Sequence, residues 1–234
     1  MSANPDYSMR PIGVIRTDFP DKFGIPRQSG ILDTLESEIV LDPSVAGPDV
    51  FRGLEGFSHL WVLWAFSETP AGQWSPTVRP PRLGGNERVG VFASRSPFRP
   101  NPIGLSCVRL VKILPDEGKL IVAGADMTDG TPVFDLKPYL PHADCRPEAT
   151  GGFADAVLSN RLRAEADPEV FAALPENKRE ALLRILEEDP RPGYQRDPSR
   201  RYGFRFAGCE ISFRADDEAG VVQLIDIVPY KTDR

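Results

Sequence analysis

Histidine and cysteine are scarce in this chain, two and three among 234 residues. Cys107, Cys145 and Cys209 are odd in number and lack metal-ligand spacing, so neither a disulfide framework nor a metal site is written here, and no metal is expected. With only His59 and His142 available and no Ser, His and acid motif, hydrolysis by a catalytic triad is a poor fit. Phosphate-loop and dinucleotide fingerprints are absent, and the pair Gly84-Gly85 lacks their spacing. No apolar run approaches the ~20 residues of a membrane span and no signal peptide is evident, so a soluble, cytoplasmic protein with no membrane partner is expected. No internal repeat is present.

Proline is abundant. Its 24 copies are roughly twice the usual share, yet they are scattered, which points to rigid loops rather than a low-complexity tail. The net charge of −6 argues against a nucleic-acid partner when taken alone. Its distribution argues otherwise: between Thr77 and Lys112 stand Arg79, Arg82, Arg88, Arg95, Arg99, Arg109 and Lys112 against the single acid Glu87, leaving −12 on the remainder. A basic region on an acidic protein can hold RNA locally while the global field discourages non-specific association.

Along the chain, Pro11 to Arg16, Ile39 to Leu41, Ser106 to Ile113, Leu120 to Ala123 and Val133 to Lys137 are expected strands. Leu54 to Phe66 is the most hydrophobic run and is expected to be a central strand buried on both faces. His142 to Gly152 is expected to be a patternless linker. Beyond it, a strand within Ala156 to Ala164, a helix over Pro175 to Glu188, and alternating runs Tyr202 to Arg214 and Val221 to Val228 make a small α+β appendage. A boundary near residue 150 therefore divides the chain into 1–150 and 151–234.

Chemistry concentrates in two stretches. Gly90 to Leu105, GVFASRSPFRPNPIGL, puts Arg95 and Arg99 in a loop stiffened by Pro97, Pro100 and Pro102, a suitable grip for carboxylate or phosphate. Asp126 to Pro141, DMTDGTPVFDLKPYLP, gathers three carboxylates and Lys137 around an Asp129-Gly130 turn, with Asp135 and Lys137 on one face. Pattern alone stops at a mainly β domain with an anion-competent polar site.

These two stretches, together with RGLEGFSHLWVLWAF (Arg52 to Phe66), FGIPRQSG (Phe23 to Gly30) and DPRP (Asp189 to Pro192), closely resemble the TsaA-like, or TrmO-type, tRNA methyltransferase family. The resemblance is dense over residues 10–141 and looser afterwards. It implies a single-sheet β-barrel using S-adenosylmethionine without a Rossmann or knotted fold, as a homodimer. It also implies methylation of N6 of threonylcarbamoyladenosine beside the anticodon, so the partner is a tRNA anticodon stem-loop. Carried onto this sequence, the cofactor residues are Pro26, Arg27, Gln28, Ser67, Glu68, Arg95, Leu105 and the run Asp126, Met127, Thr128 and Asp129.

A sulfonium wants carboxylate or carbonyl oxygens and its amino-acid carboxylate wants an arginine; Asp126, Asp129 and Arg95 are the right types. The acceptor nitrogen must lose its proton, so Asp135 or Tyr139 is expected as general base, with Lys137 stabilising developing negative charge. Arg99 and Asn101 are expected on the substrate side. The rival expectation is a non-catalytic β-barrel that binds RNA or an anionic metabolite through the same arginines, its carboxylates serving only as turn formers.

Overall fold

The computed structural model describes residues 8–70, 72–80, 87–157, 162–191 and 197–230. The expected Arg82, Gly84-Gly85, Pro192 and part of the Ala156 to Ala164 strand lie outside them. Strands β1 (Gly13–Arg16), β2 (Glu36–Leu41), β3 (His59–Ala65), β6 (Ile103–Leu114), β7 (Lys119–Ala123) and β8 (Pro132–Pro138) close into one barrel in the order β1, β2, β7, β6, β3, β8. Every pairing around it is antiparallel, with β8 returning to β1. Closure leaves no unpaired edge, which suits a chain with long loops. A two-stranded ribbon, β4 (Thr77–Val78) with β5 (Val89–Gly90), sits within the long connection from β3 to β6.

The barrel has one apolar side, its inside, and this corrects the expectation for Leu54 to Phe66. Leu60, Val62 and Trp64 point inward and are buried, whereas His59, Trp61 and Leu63 alternate outward and are half-buried. The strand begins only at His59, because Gly53, at φ 83°, turns the chain into a 3-10 segment over Leu54–Gly56. Ile15, Ile39, Val108, Leu120, Val122, Met127 and Val133 fill the rest of the interior. Burial of such side chains stabilises by about 1.5–3 kcal/mol each relative to exposure.

The supposed linker is structured near its start. Helical turn α1 (Pro141–Asp144) is fastened to the barrel because Asp144 accepts hydrogen bonds from Trp61 Nε1 at 2.9 Å and from the Leu140 N–H at 2.8 Å. Further on, among the described residues of the Ala156 to Ala164 run, Arg163 and Ala164 belong to a strand, β9 (Arg163–Glu165), and a 3-10 segment spans Gly152–Val157.

The C-terminal domain holds α2 (Pro168–Phe171), α3 (Glu176–Glu187), β10 (Tyr202–Phe206), β11 (Cys209–Asp216) and β12 (Val221–Pro229). Tyr202 to Arg214 is two strands, not one: Phe206 pairs with Cys209 across Ala207 and Gly208, which both take positive φ (50° and 76°) as a two-residue hairpin requires. With β12 and β9 these strands form a four-stranded sheet in the order β10, β11, β12, β9. Leu182, Ile185 and Leu186, one face of α3, pack against Phe204, Phe206, Ile211, Phe213 and Val222. The sheet aromatics are thus core.

Three members of this second core come from the connection between β1 and β2. Phe19, Leu32 and Leu35 are all buried in it, and the Phe19 ring lies 5.3 Å from that of Phe206. Lys178 of α3 pairs with Asp18 at 2.5 Å, and the Ala207 N–H donates to the Asp18 carbonyl at 3.0 Å. Barrel and C-terminal domain therefore share a segment. Phe19→Ala should cost about 3–5 kcal/mol in equilibrium denaturation, the penalty of an emptied aromatic site, and a loss below 1 kcal/mol would show that the connection only rests on the second core.

Candidate active site

In an antiparallel barrel, alternate loops emerge at the same end. Here β1, β7 and β3 end where β2, β8 and β6 begin, so one mouth collects the connections 17–35, 66–102 and 124–131. Pro26, Arg27 and Gln28 stand on the first, Ser67, Glu68, Arg95, Arg99 and Asn101 on the second, and Asp126, Met127, Thr128 and Asp129 on the third. Leu105 stands close by in β6. Three widely separated stretches of sequence meet at one place.

The polar centre of the mouth is Asp126. Its carboxylate accepts from Ser106 Oγ at 2.5 Å, and Ser106 Oγ in turn accepts from Trp64 Nε1 at 2.9 Å. Burial pushes the Asp126 carboxyl above its ordinary value, opposed by the Ser106 hydroxyl, by its own N–H, by the Arg95 charge and by the Ser29 N–H. Arg95 Nη1 also donates to Gln28 Oε1, while Gln28 Nε2 donates to the Arg27 carbonyl at 2.6 Å. Gln28, Arg95 and Asp126 are thereby brought together.

Glycine permits two close approaches beneath them. The Trp64 indole occupies the space a side chain at Gly104 would need, since a Cβ there would fall 2.1 Å from the ring. At the loop crossing, the Gly30 N–H donates to the Gly124 carbonyl at 2.9 Å. A Cβ on Gly124, whose φ is 85°, would press within 3.1 Å of the Gly30 backbone. The Cys107 N–H, in the part of β6 that extends beyond the end of β7, is satisfied instead by Ser29 Oγ at 3.1 Å.

Other expected residues are placed differently. Arg27 directs its guanidinium at the C-terminal domain, donating to the carbonyls of Asp189 and Arg191, at 3.0 and 3.3 Å. Asp129 faces β1, accepting from the Thr17 N–H at 3.1 Å and pairing with Arg16 at 3.4 Å. Met127 points into the barrel core and Thr128 is buried against the Thr131 hydroxyl at 3.0 Å, so neither side chain is presented at the mouth. Ser67, Glu68 and Asn101 are exposed, and Arg99 is half-buried.

Asp135, Lys137 and Tyr139 follow the outer face of β8 away from the mouth. Asp135 lies opposite Leu63, itself opposite Leu105, so the row Leu105, Leu63, Asp135 crosses three strands, about 10 Å in all. Lys137, opposite Trp61, pairs with Asp135 at 2.8 Å. Tyr139 packs on Trp61 at 5.6 Å between ring centroids; burial pushes its phenol up, and the neighbouring Cys145 thiol adds to the shift. Ser29, Ser106 and Trp64 were not expected at the site. Ser106, an inward-facing hydroxyl between Gly104 and Val108, carried the one available signal. Among the described residues, no group of three or more His, Cys, Asp or Glu is arranged to hold a metal, and no helix is long and apolar enough to cross a membrane.

Comparison with known proteins gives this geometry a context. Residues 14–145 match the model of the tRNA-methyltransferase O N-terminal domain, and residues 159–229 that of the TrmO C-terminal domain. An Escherichia coli protein named tRNA (adenine(37)-N6)-methyltransferase is 42% identical over 221 residues, covering 90% of this chain and 94% of its own. A Pseudomonas aeruginosa protein carrying the provisional name S-adenosylmethionine-dependent methyltransferase RcsF is 42% identical over 213 residues, 88% of this chain and 91% of its own. The crystal structure of TrmO from Pseudomonas aeruginosa superposes with a TM-score of 0.80 at 31% identity, covering 98% of this chain and all of that one.

The Asp126 shift has a sign that can be tested. A carboxyl raised in the folded state is an ionised group the fold disfavours, so its penalty is present at neutral pH and relieved as pH falls through the raised pKa. Thermal unfolding of wild type and Asp126→Asn from neutral pH down to the ordinary carboxylate range should show the wild type gaining on the variant as pH falls. A wild type that loses ground on acidification would refute the burial account.

Proposed function

The chain belongs to the tRNA-methyltransferase O family, and from that premise we propose the following reading of its reaction and of the residues at the barrel mouth. The protein is an S-adenosylmethionine-dependent tRNA (adenine(37)-N6)-methyltransferase. The nucleoside it methylates is threonylcarbamoyladenosine in the anticodon stem-loop. The observation that carries the reading is the meeting of Gln28, Arg95 and Asp126 at one polar mouth.

These residues fit the cofactor's chemistry. S-adenosylmethionine supplies an electrophilic methyl on a cationic sulfur and also bears a free carboxylate. Asp126, a half-buried carboxyl, suits the cationic portion, and Arg95, exposed beside it, suits the carboxylate. Gln28 orients the Arg95 fork. Ser67, Glu68, Leu105 and the main chain of Met127 and Thr128 line the remainder. Pro26 stiffens the loop that carries Gln28, and Asp129 and Arg27 act through the loops they hold.

On the substrate side, Asp135 takes the proton that N6 releases as it gains the methyl group, and Lys137, paired with it at 2.8 Å, orients the carboxylate. Tyr139, its phenol shifted upward, serves as a neutral hydrogen-bond donor. Arg99 meets the threonyl carboxylate and Asn101 the adjacent backbone. The enzyme acts in the cytoplasm, where its tRNA substrate is, as a homodimer. Support for pairing comes from Trp74, Phe92, Phe98 and Leu105, large apolar side chains left exposed around one loop system and the strand it enters.

Incubation of threonylcarbamoyladenosine-bearing tRNA with the protein and S-adenosylmethionine, followed by nucleoside mass analysis, should show one added methyl. An unshifted peak under conditions where the Escherichia coli relative acts would overturn the reading. Arg95→Ala should weaken cofactor binding by about 10–100-fold in calorimetry, the worth of a hydrogen bond to a charged group. Asp135→Asn should lower kcat by about 10²–10⁴-fold with cofactor affinity intact, and full turnover in that variant would remove Asp135 from the role of base.

A further inference from the structure

The C-terminal domain reaches the barrel mouth through an unbroken line of hydrogen bonds. Arg191, just beyond the end of α3, is 3% exposed, and its fork lies between two carboxylates: Asp189 at 2.7 Å from Nε and Asp217 at 2.8 Å from Nη2. Asp189 takes φ 51°, an unusual conformation for a residue with a side chain, and Arg191 holds both its carboxylate oxygens. The two main-chain carbonyls of this clamped turn, Asp189 and Arg191, accept from Arg27 Nη2. The Arg27 carbonyl accepts from Gln28, and Gln28 accepts from Arg95, whose charge bears on Asp126.

An ion triad around one buried guanidinium contributes little net stability, because desolvation of the arginine offsets the Coulombic gain, but it holds the turn at Asp189 in one geometry. What it fixes here is a pair of carbonyls, and what they receive is the loop carrying Gln28. We infer that Asp189 and Arg191 are positioning residues for methyl transfer: the C-terminal domain sets the orientation of Gln28 and Arg95 at the mouth. The inference rests on the reading of that mouth as the cofactor site. It gives the C-terminal domain a role in cofactor affinity separate from any contact it makes with RNA.

The test is a double-mutant cycle in the full-length chain, with S-adenosylmethionine affinity read by calorimetry and tRNA affinity read separately. Asn tolerates the backbone conformation of Asp189, so Asp189→Asn removes the charge while keeping the turn. Asp189→Asn and Gln28→Ala should each weaken cofactor binding, by about three- to tenfold for the former, leave tRNA affinity unchanged, and combine to no more than the Gln28→Ala loss, since both cut one line of contacts. Multiplying losses, or an Asp189→Asn variant with wild-type cofactor affinity, would overturn the inference while leaving the cofactor site in place. A Gln28→Ala variant with wild-type affinity would instead overturn the site assignment and the inference with it. Should Asp189→Asn fail to fold, Arg27→Gln cuts the same line from the loop side without touching the ion triad, and the same cycle applies.

Discussion

A carboxylate held half-buried at the end of a barrel is the constraint around which the structure is arranged. Withdrawing Asp126 from water disfavours its charge, and an unpaired buried charge costs several kcal/mol, so partners have to be supplied. They come from three directions: the Ser106 hydroxyl from inside β6, the Arg95 guanidinium from the β3 to β6 connection, and the Ser29 N–H from the β1 to β2 connection. Each partner makes its own demand. Ser106 also accepts from the Trp64 indole, and Trp64 needs Gly104 beneath it. Thus Trp64, the pair Gly104 and Ser106, and Asp126, from three separate stretches of sequence, answer to one electrostatic requirement.

Equally important is the sharing of one connection between two cores. The β1 to β2 connection gives Phe19, Leu32 and Leu35 to the C-terminal domain while its middle, Gln28 to Gly30, lies across the barrel mouth. A polar loop with few apolar contacts of its own would be mobile at this position. Anchoring its two ends in a second hydrophobic core, and fixing Arg27 to a clamped turn there, holds it in one position. The small C-terminal domain is in this sense the support of a loop at the barrel mouth.

Much of this architecture was legible in the sequence. The expected strands fell on β1, β2, β6, β7 and β8, with period-two alternation behind β1, β6 and β8, and the apolar face of α3 followed from Leu182, Ile185 and Leu186. Leu54 to Phe66 misled because a run of large apolar residues looks alike whether a strand is covered on both faces or has one face inside a barrel and Trp61 outside under α1. The Ala207-Gly208 turn was hidden because alanine rarely adopts positive φ. At the site, Arg95, Gln28 and Asp126 stood out as charged or polar residues in stiff loops. Ser106 could be marked only as a hydroxyl within an apolar strand, which does not reveal its partner, and the aim of Arg27 toward Asp189 depends on packing across the whole chain.

The shared connection also orders events in time. Synthesis delivers all six barrel strands well before α3 and β10 to β12, so a nascent chain can pair its sheet while Phe19, Leu32 and Leu35 still lack a core to enter. Contacts between residues so far apart in sequence close late because the loop entropy must be met before they form. Until then the apolar ends of the connection that carries Gln28 lack the core that covers them. The loop that crosses the barrel mouth therefore gains its second anchor only with the last third of the chain, and a polypeptide released before Val221–Pro229 would carry all six barrel strands with that connection unanchored.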